Sequence, residues 1–527
     1  MAKKIMIQGT MSNSGKSFVA AALCRILRQD GYSVAPFKSQ NMALNSYITK
    51  DGLEIGRAQA MQAEAAGIAP TVDMNPILLK PTSQMGSQVI VNGEVFGNLR
   101  AMDYYRRKTE FIPAVREAFE RLESQFDAIV LEGAGSPAEI NLRDNDIVNM
   151  GMAKIANAPV LLVGDIDRGG VFASLYGTVS LLEPEERARI KGLVINKFRG
   201  DVKILEPGLR MIEERLHIPV VGVIPMEQID LDDEDSLSDR LVRTKAQDGL
   251  DVAVIHLPHI SNFTDFNALE HYDGVSLRYV DRPAHLGQPD LILLPGTKNT
   301  MADLKWLRES GLEAMIWRLV EEQKVPVIGI CGGYQMLGEQ LSDPHGVEGE
   351  PGSTMRGMGL LAAETIFAAE KTRTRTEGMV MAAAGVYGQV TGQSVKGYEI
   401  HMGETFPAEA GSGLNGSQQA GAGQQPGNAS RADHSVTPAI CLADGRMDGF
   451  VRADGLVFGS YLHGLFDNLE FTGAILTQLA EKKGISLTAT AKSMEEYKES
   501  QYDKLADLVR RSLDMDAVYK IMKEYES

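Results

Sequence analysis

The chain has 527 residues, 44% hydrophobic and 23% charged, with a formal net charge of −17. That length exceeds one ordinary core and predicts two or three domains, and the acidic balance excludes a basic nucleic-acid-binding face. Three cysteines (Cys24, Cys331, Cys441) form no disulfide framework, and no eighteen-residue apolar run is present to span a membrane.

In chain order, Ile5–Gln8 reads as a short apolar strand and Phe18–Leu27 as a helix. Between them lies GTMSNSGKS, Gly9 to Ser17. Lys-Ser at a helix start after a glycine-rich turn is a phosphate-binding loop. Gly9, Thr10, Ser14 and Gly15 shape it, Lys16 neutralises phosphate, and the Ser17 hydroxyl is a Mg²⁺ ligand. The stretch from Ile5 is broken at Gly9, so no export leader is expected and the location is taken as cytoplasmic. Further strands are predicted at 33–37, 128–131, 160–163, 192–195 and 220–223, with helices between them. Such near-continuous apolar runs mean a parallel sheet covered on both faces. Lys38, after the second strand, is placed near phosphate or a carboxylate. Asp51 and Glu54 follow it; Asp51 is assigned to the metal. Glu132, at a strand end before a glycine turn, is the expected Mg²⁺-holding acid. Asp146 is assigned to carboxylate activation. Asn196 and Lys197, after the strand GLVIN, are placed at the nucleotide.

The acidic run DLDDEDSLSDR marks an exposed connection, so the first domain is taken as 1–235, with a linker at 236–250. New strands are predicted at 252–256, 291–294, 325–330 and 456–459. In VPVIGICGGYQMLG a strand runs directly into Cys331, two glycines and a helix. This strand-turn-helix elbow exposes a nucleophile above a sheet, and the helix start offers N–H groups to an oxyanion. Gly296, in LPGTKNT, and Gly332 are the expected oxyanion donors. Residues 408–437 are low in complexity and are read as a surface insert in a domain spanning 251–470. His463, in SYLHGLFDN, is the expected base for Cys331. The helical tail at 471–527 is expected to pack on the second domain.

GICGGYQMLG resembles the nucleophile motif of type 1 glutamine amidotransferases, and the first loop resembles that of dethiobiotin synthetase and related ATPases. The fold class implied is α/β in two domains, each a mostly parallel sheet with helices on both faces. Amidotransferases of this type carry a Glu two residues after the His; Leu465 stands there instead, leaving His463 without its usual orienting acid. Asp467 is nearby, with no warrant for that role. Along nearly the whole chain, FKSQNMALNS, GRAQAMQAEAAG, LEGAGSPAEINL, DIDRGGVFASLYGT and GYEIHMGET are similar to the cobyric acid synthase family. That resemblance implies glutamine, ATP with Mg²⁺, and a corrinoid polycarboxylate amidated at its b, d, e and g positions. The acidic charge and the lack of a membrane-length apolar run predict no nucleic-acid or membrane partner, and the oligomeric state is left open. The nearest alternative, cobyrinic acid a,c-diamide synthase, shares the architecture.

Overall fold

The computed structural model describes all residues except 1, 84–85, 233–243, 245–247, 382, 409–433, 490–492 and 526–527. The chain divides into two compact units, residues 1–234 with 495–527, and residues 235–494. Among the described residues no helix is long and apolar enough to cross a membrane.

The first unit is built on six parallel strands. Their order across the sheet is Val220–Pro225, Ile190–Phe198, Val160–Asp165, Lys3–Gly9, Ala128–Glu132 and Val34–Phe37. The apolar runs of the sequence are these strands, buried because helices cover both faces. Lys3–Gly9 is central, so the loop after it opens at the carboxyl edge of the sheet, where α/β folds bind ligands. The helix Lys16–Gln29 follows; its N-terminal flank is Gly15 with φ 95°, and no side chain caps it. Its first N–H groups therefore remain available to an anion. A smaller four-stranded sheet, which includes Gln40–Met42, is inserted between the second and third strands of the main sheet in chain order.

The expected packing of the whole tail on the second domain is corrected by the structure. Helix Leu469–Lys483 does belong to the second unit, through Phe471, Ile475 and Leu476 in its core. Helices Met494–Ser512 and Met515–Lys523 instead pack on the first unit. Tyr502, Leu505, Leu508 and Val509 lie in one core with Val19, Leu23 and Leu27 of the helix behind the phosphate loop. Arg25 Nε donates to Asp503 at 2.8 Å on the rim. Composition and charge do not distinguish one apolar helix face from another, and only the matching surface does.

In the second unit five strands run parallel. Their order is Val275–Val280, Leu250–Ile255, Leu291–Leu294, Val327–Ile330 and Val457–Ser460. The sheet continues beyond Val457–Ser460 through the antiparallel strands Met447–Arg452, Val436–Leu442 and Ala363–Val380. Ala363–Val380 alternates buried with less buried residues over its first five positions, as a strand with one solvated face does. Most of the low-complexity stretch lies outside the described residues. Its edges are structured: Ala408 N donates to Ala362 O at 2.9 Å, and Val436–Leu442 is a strand.

Candidate functional site

In the second unit the elbow forms as the sequence predicts. Cys331 directly follows Val327–Ile330 and flanks the helix Gly332–Leu337, with φ 53° and ψ −112°. A positive φ is costly for a residue with a Cβ and persists only where its surroundings enforce it. Here Cys331 N donates to Ser460 O at 2.9 Å, Gln335 N donates to Cys331 O at 3.0 Å, and both neighbouring strands are parallel. The strand Ser394–Pro407, which carries GYEIHMGET, pairs Tyr398 with His463 and brings Ile400 O to 3.6 Å from Cys331 Sγ.

His463 is buried beside this nucleophile. Its Nδ1 lies 2.6 Å from Asp265 Oδ2, and Gly464 N donates to Asp265 Oδ1 at 3.0 Å. Asp265 is itself buried, in the 3-10 segment Phe263–His271. Burial would push the imidazole below its ordinary value; the charge of Asp265 and its hydrogen bond, then Cys331, reverse that and raise it to about 10. His463 Nε2 is buried with no hydrogen-bond partner of ordinary geometry. Tyr398 stacks on the ring at 5.2 Å between centroids. The group holding His463 is therefore Asp265, which the sequence reading missed. Leu465, at the usual position of the acid, is buried in the core, and Asp467 is exposed.

Both glycines expected at the oxyanion stand here. A Cβ on Gly296 would lie 3.1 Å from His463 Cε1, and one on Gly332 would lie 2.5 Å from Thr297 Cγ2. A side chain at Gly332 would force Thr297 to shift, and one at Gly296 would crowd the His463 ring.

In the first unit Ser17 and Glu132 meet as expected. Glu132, 1% exposed, accepts from Ser17 Oγ at 2.9 Å and Lys38 Nζ at 2.9 Å through Oε1, and from Gln62 Nε2 at 2.5 Å through Oε2. Gln62, in GRAQAMQAEAAG, was not singled out in the sequence. A buried carboxylate beside a hydroxyl at the loop is an all-oxygen donor set, which suits Mg²⁺. Lys16 Nζ donates to Met11 O at 2.9 Å and Gly135 O at 3.1 Å, curling across the loop. Thr10 N is tied to Val163 O at 3.0 Å, and a Cβ on Gly9 would lie 2.1 Å from Ser14 Oγ.

Other expected residues are placed differently. Asn196 Nδ2 donates to Ser14 O at 3.0 Å, and a Cβ on Gly15 would lie 2.0 Å from that nitrogen. Asn196 thus supports the loop from behind. Lys197 Nζ bonds Asn13 O at 2.7 Å and Asp165 Oδ2 at 2.8 Å. Asp146 accepts from the backbone N–H groups of Val148, Asn149 and Gly151 at 2.8–2.9 Å. Asp146 thus braces the turn that leads into the helix Met150–Ile155, whose N-cap is Asn149, and reaches one N–H of its first turn. Asp51 is exposed in the turn between Ser46–Ile48 and Glu54–Gly56, and among the described residues no hydrogen bond joins it to Ser17 or Glu132. Glu54 is buried against Lys80 at 2.8 Å.

Comparison with known proteins finds a family match for each half of the chain. Residues 5–237 match the CobQ/CobB/MinD/ParA nucleotide binding domain, and residues 251–471 match the CobB/CobQ-like glutamine amidotransferase domain. The cobyric acid synthase of Lachnoclostridium phytofermentans is 54% identical, over 99% of this chain and 100% of its own length. That of Ruminiclostridium cellulolyticum is 54% identical over 99% of this chain and 98% of its own. That of Yersinia enterocolitica is 50% identical over 99% and 98%. With such identity along its full length, and both sites built, the chain belongs to the cobyric acid synthase family.

Proposed function

We propose that this chain is an ATP-dependent, glutamine-hydrolysing amidoligase that converts adenosylcobyrinic acid a,c-diamide into adenosylcobyric acid. The observation that carries this reading is the presence in one chain of a phosphate loop joined to Glu132 and a Cys331 elbow served by a buried His463–Asp265 pair. The relatives' names favour cobyric acid synthase over the a,c-diamide synthase.

At the second unit Cys331 Sγ attacks the side-chain amide carbon of glutamine. The N–H groups of Gly296 and Gly332 take the oxyanion, and His463 Nε2 delivers a proton to the departing ammonia. Water then cleaves the thioester and releases glutamate. Asp265 holds the Nδ1–H, so Nε2 is the nitrogen that works on the sulfur.

At the first unit the substrate carboxylate attacks the terminal phosphorus of ATP and ADP leaves. Ammonia then displaces phosphate from the acyl phosphate to give the amide. Hydroxide is a poor leaving group and phosphate a good one, so catalysis here is positioning and charge neutralisation. The loop N–H groups and Lys16 would hold the phosphates, and Ser17 and Glu132 would hold Mg²⁺. That ion supplies charge neutralisation at the transferred phosphoryl group.

The test is a nitrogen-source switch. Cys331→Ser is expected to abolish amidation driven by glutamine and to keep amidation driven by ammonium salts. Loss of both in a folded variant contradicts the division of labour.

A further inference from the structure

The strand Gln40–Met42, the helix Ala101–Arg107 and the 3-10 segment Ile140–Asn145 are distant in sequence, yet hydrogen bonds join them into one face of the first unit. Tyr104 Oη donates to Gln40 Oε1 at 2.6 Å, tying helix to strand. Tyr105 Oη donates to Asn141 O at 3.5 Å, and Asn145 Nδ2 donates to Tyr105 O at 3.3 Å, tying helix to 3-10 segment. Ser39 Oγ donates to Ile147 O at 2.6 Å, closing the triangle. The face adjoins the phosphate site. Lys38, two residues before the strand, bonds Glu132, and Gly135, before the 3-10 segment, bonds Lys16.

Large apolar side chains are exposed on all three elements: Met42 60%, Met102 63%, Ile140 52% and Leu142 43%. Clustered exposure of this kind marks a binding surface. The charged groups on these elements are mixed: Asp103 pairs with Arg100, Arg107 pairs with Glu110, and Glu139 and Asp144 are exposed, while among the described residues two cations make no such pair. Arg106 is exposed on the helix. Lys108 follows it, 8% exposed, and among the described residues it makes no hydrogen bond or ion pair. Burial pushes its ammonium down and Asp146, from further off, pulls it up. A nearly buried cation left without a contact partner is costly unless a ligand supplies one.

We propose that this face docks the corrinoid, with Met42, Met102, Ile140 and Leu142 against the macrocycle and Lys108 and Arg106 on its peripheral carboxylates. This rests on the corrinoid reading above. The chemistry fits both ways: a broad, largely apolar ring edged with carboxylates needs an apolar face rimmed by cations. It must also lie beside the phosphate loop, because its carboxylates are phosphorylated there.

The test is an absorbance titration of the full chain with the a,c-diamide, followed by ammonia-driven kinetics. Lys108→Met is expected to raise the corrinoid Kd and KM about 10- to 100-fold, the value of one charge-assisted hydrogen bond, while KM for ATP stays put. If that variant fails to fold, the exposed Met42 decides. Met42→Glu should weaken corrinoid binding by repulsion, and Met42→Lys should not. Variants that all stay within twofold of the parent, a parallel rise in KM for ATP, or equal losses in Met42→Glu and Met42→Lys would overturn the proposal. The titration needs no turnover. A parent that binds the corrinoid but amidates nothing, with Lys108→Met still weakened, would sink the proposed reaction and leave the docking face standing. A parent that binds no corrinoid would sink both.

Discussion

Asp265→Asn tests the least expected member of the glutamine site. The change keeps the volume of a buried side chain but removes the charge that stands 2.6 Å from His463 Nδ1. Without that charge, burial dominates and the imidazole falls from about 10 toward or below its ordinary value. The amide of Asn can also present N–H to Nδ1, which would place the remaining ring proton on the wrong nitrogen. General acid–base assistance is worth about 10²–10⁴-fold, so glutamine-driven kcat/KM should fall by that range. The sign of the pH effect follows. His463 must be protonated to release ammonia, so the alkaline limb of the parent lies toward pH 10 and should move to lower pH in the variant. Glutamate release across pH, beside ammonia-driven amidation as a control, measures both effects. A folded variant that loses less than about tenfold, or keeps the parent's alkaline limb, would refute the role given to Asp265.

Other predictions are more direct. Leu465→Glu, which restores an acid at the usual position, should give no gain in glutaminase rate and should lower the melting temperature. Asp265 already occupies Nδ1, and Leu465 is buried, so the new carboxylate has no partner; a faster, equally stable variant would contradict this. Lys16→Ala should block amidation from glutamine and from ammonium alike, because both need the activated carboxylate; unchanged ATP turnover would remove the loop from the mechanism. Deleting 409–433 should leave solubility and both activities near those of the parent, since long surface insertions cost little closure entropy. The cut must spare Ala408 and Val436–Leu442, which pair with the rest of the domain; aggregation of this deletion would show that the segment carries packing.

Much of this was legible in the sequence, for identifiable reasons. The six strands of the first sheet are continuous apolar runs, and a parallel sheet covered on both faces demands them. The phosphate loop and the Cys331 elbow are local, and a few residues encode each. Asp265 was not legible, because it reaches His463 across 198 residues of chain and carries no motif of its own. What signal exists is its place in the loop after the strand Leu250–Ile255, an end of the sheet where ligands gather. Asp146 was read as a reactive acid because it follows Glu132; the structure shows its oxygens taken by three backbone N–H groups, a local contact that sequence order does not reveal. The antiparallel strands from Ala363 onward escaped notice because their alternation of polar and apolar residues is weak locally.

The central claim is the amidation itself, and counting amides tests it most directly. The full chain, incubated with ATP, Mg²⁺, nitrogen-15 amide-labelled glutamine and adenosylcobyrinic acid a,c-diamide, should yield a product whose mass shows labelled nitrogen at the four carboxylates b, d, e and g. No label on the diamide, together with label at the a and c positions when the unamidated acid is supplied, would contradict the account.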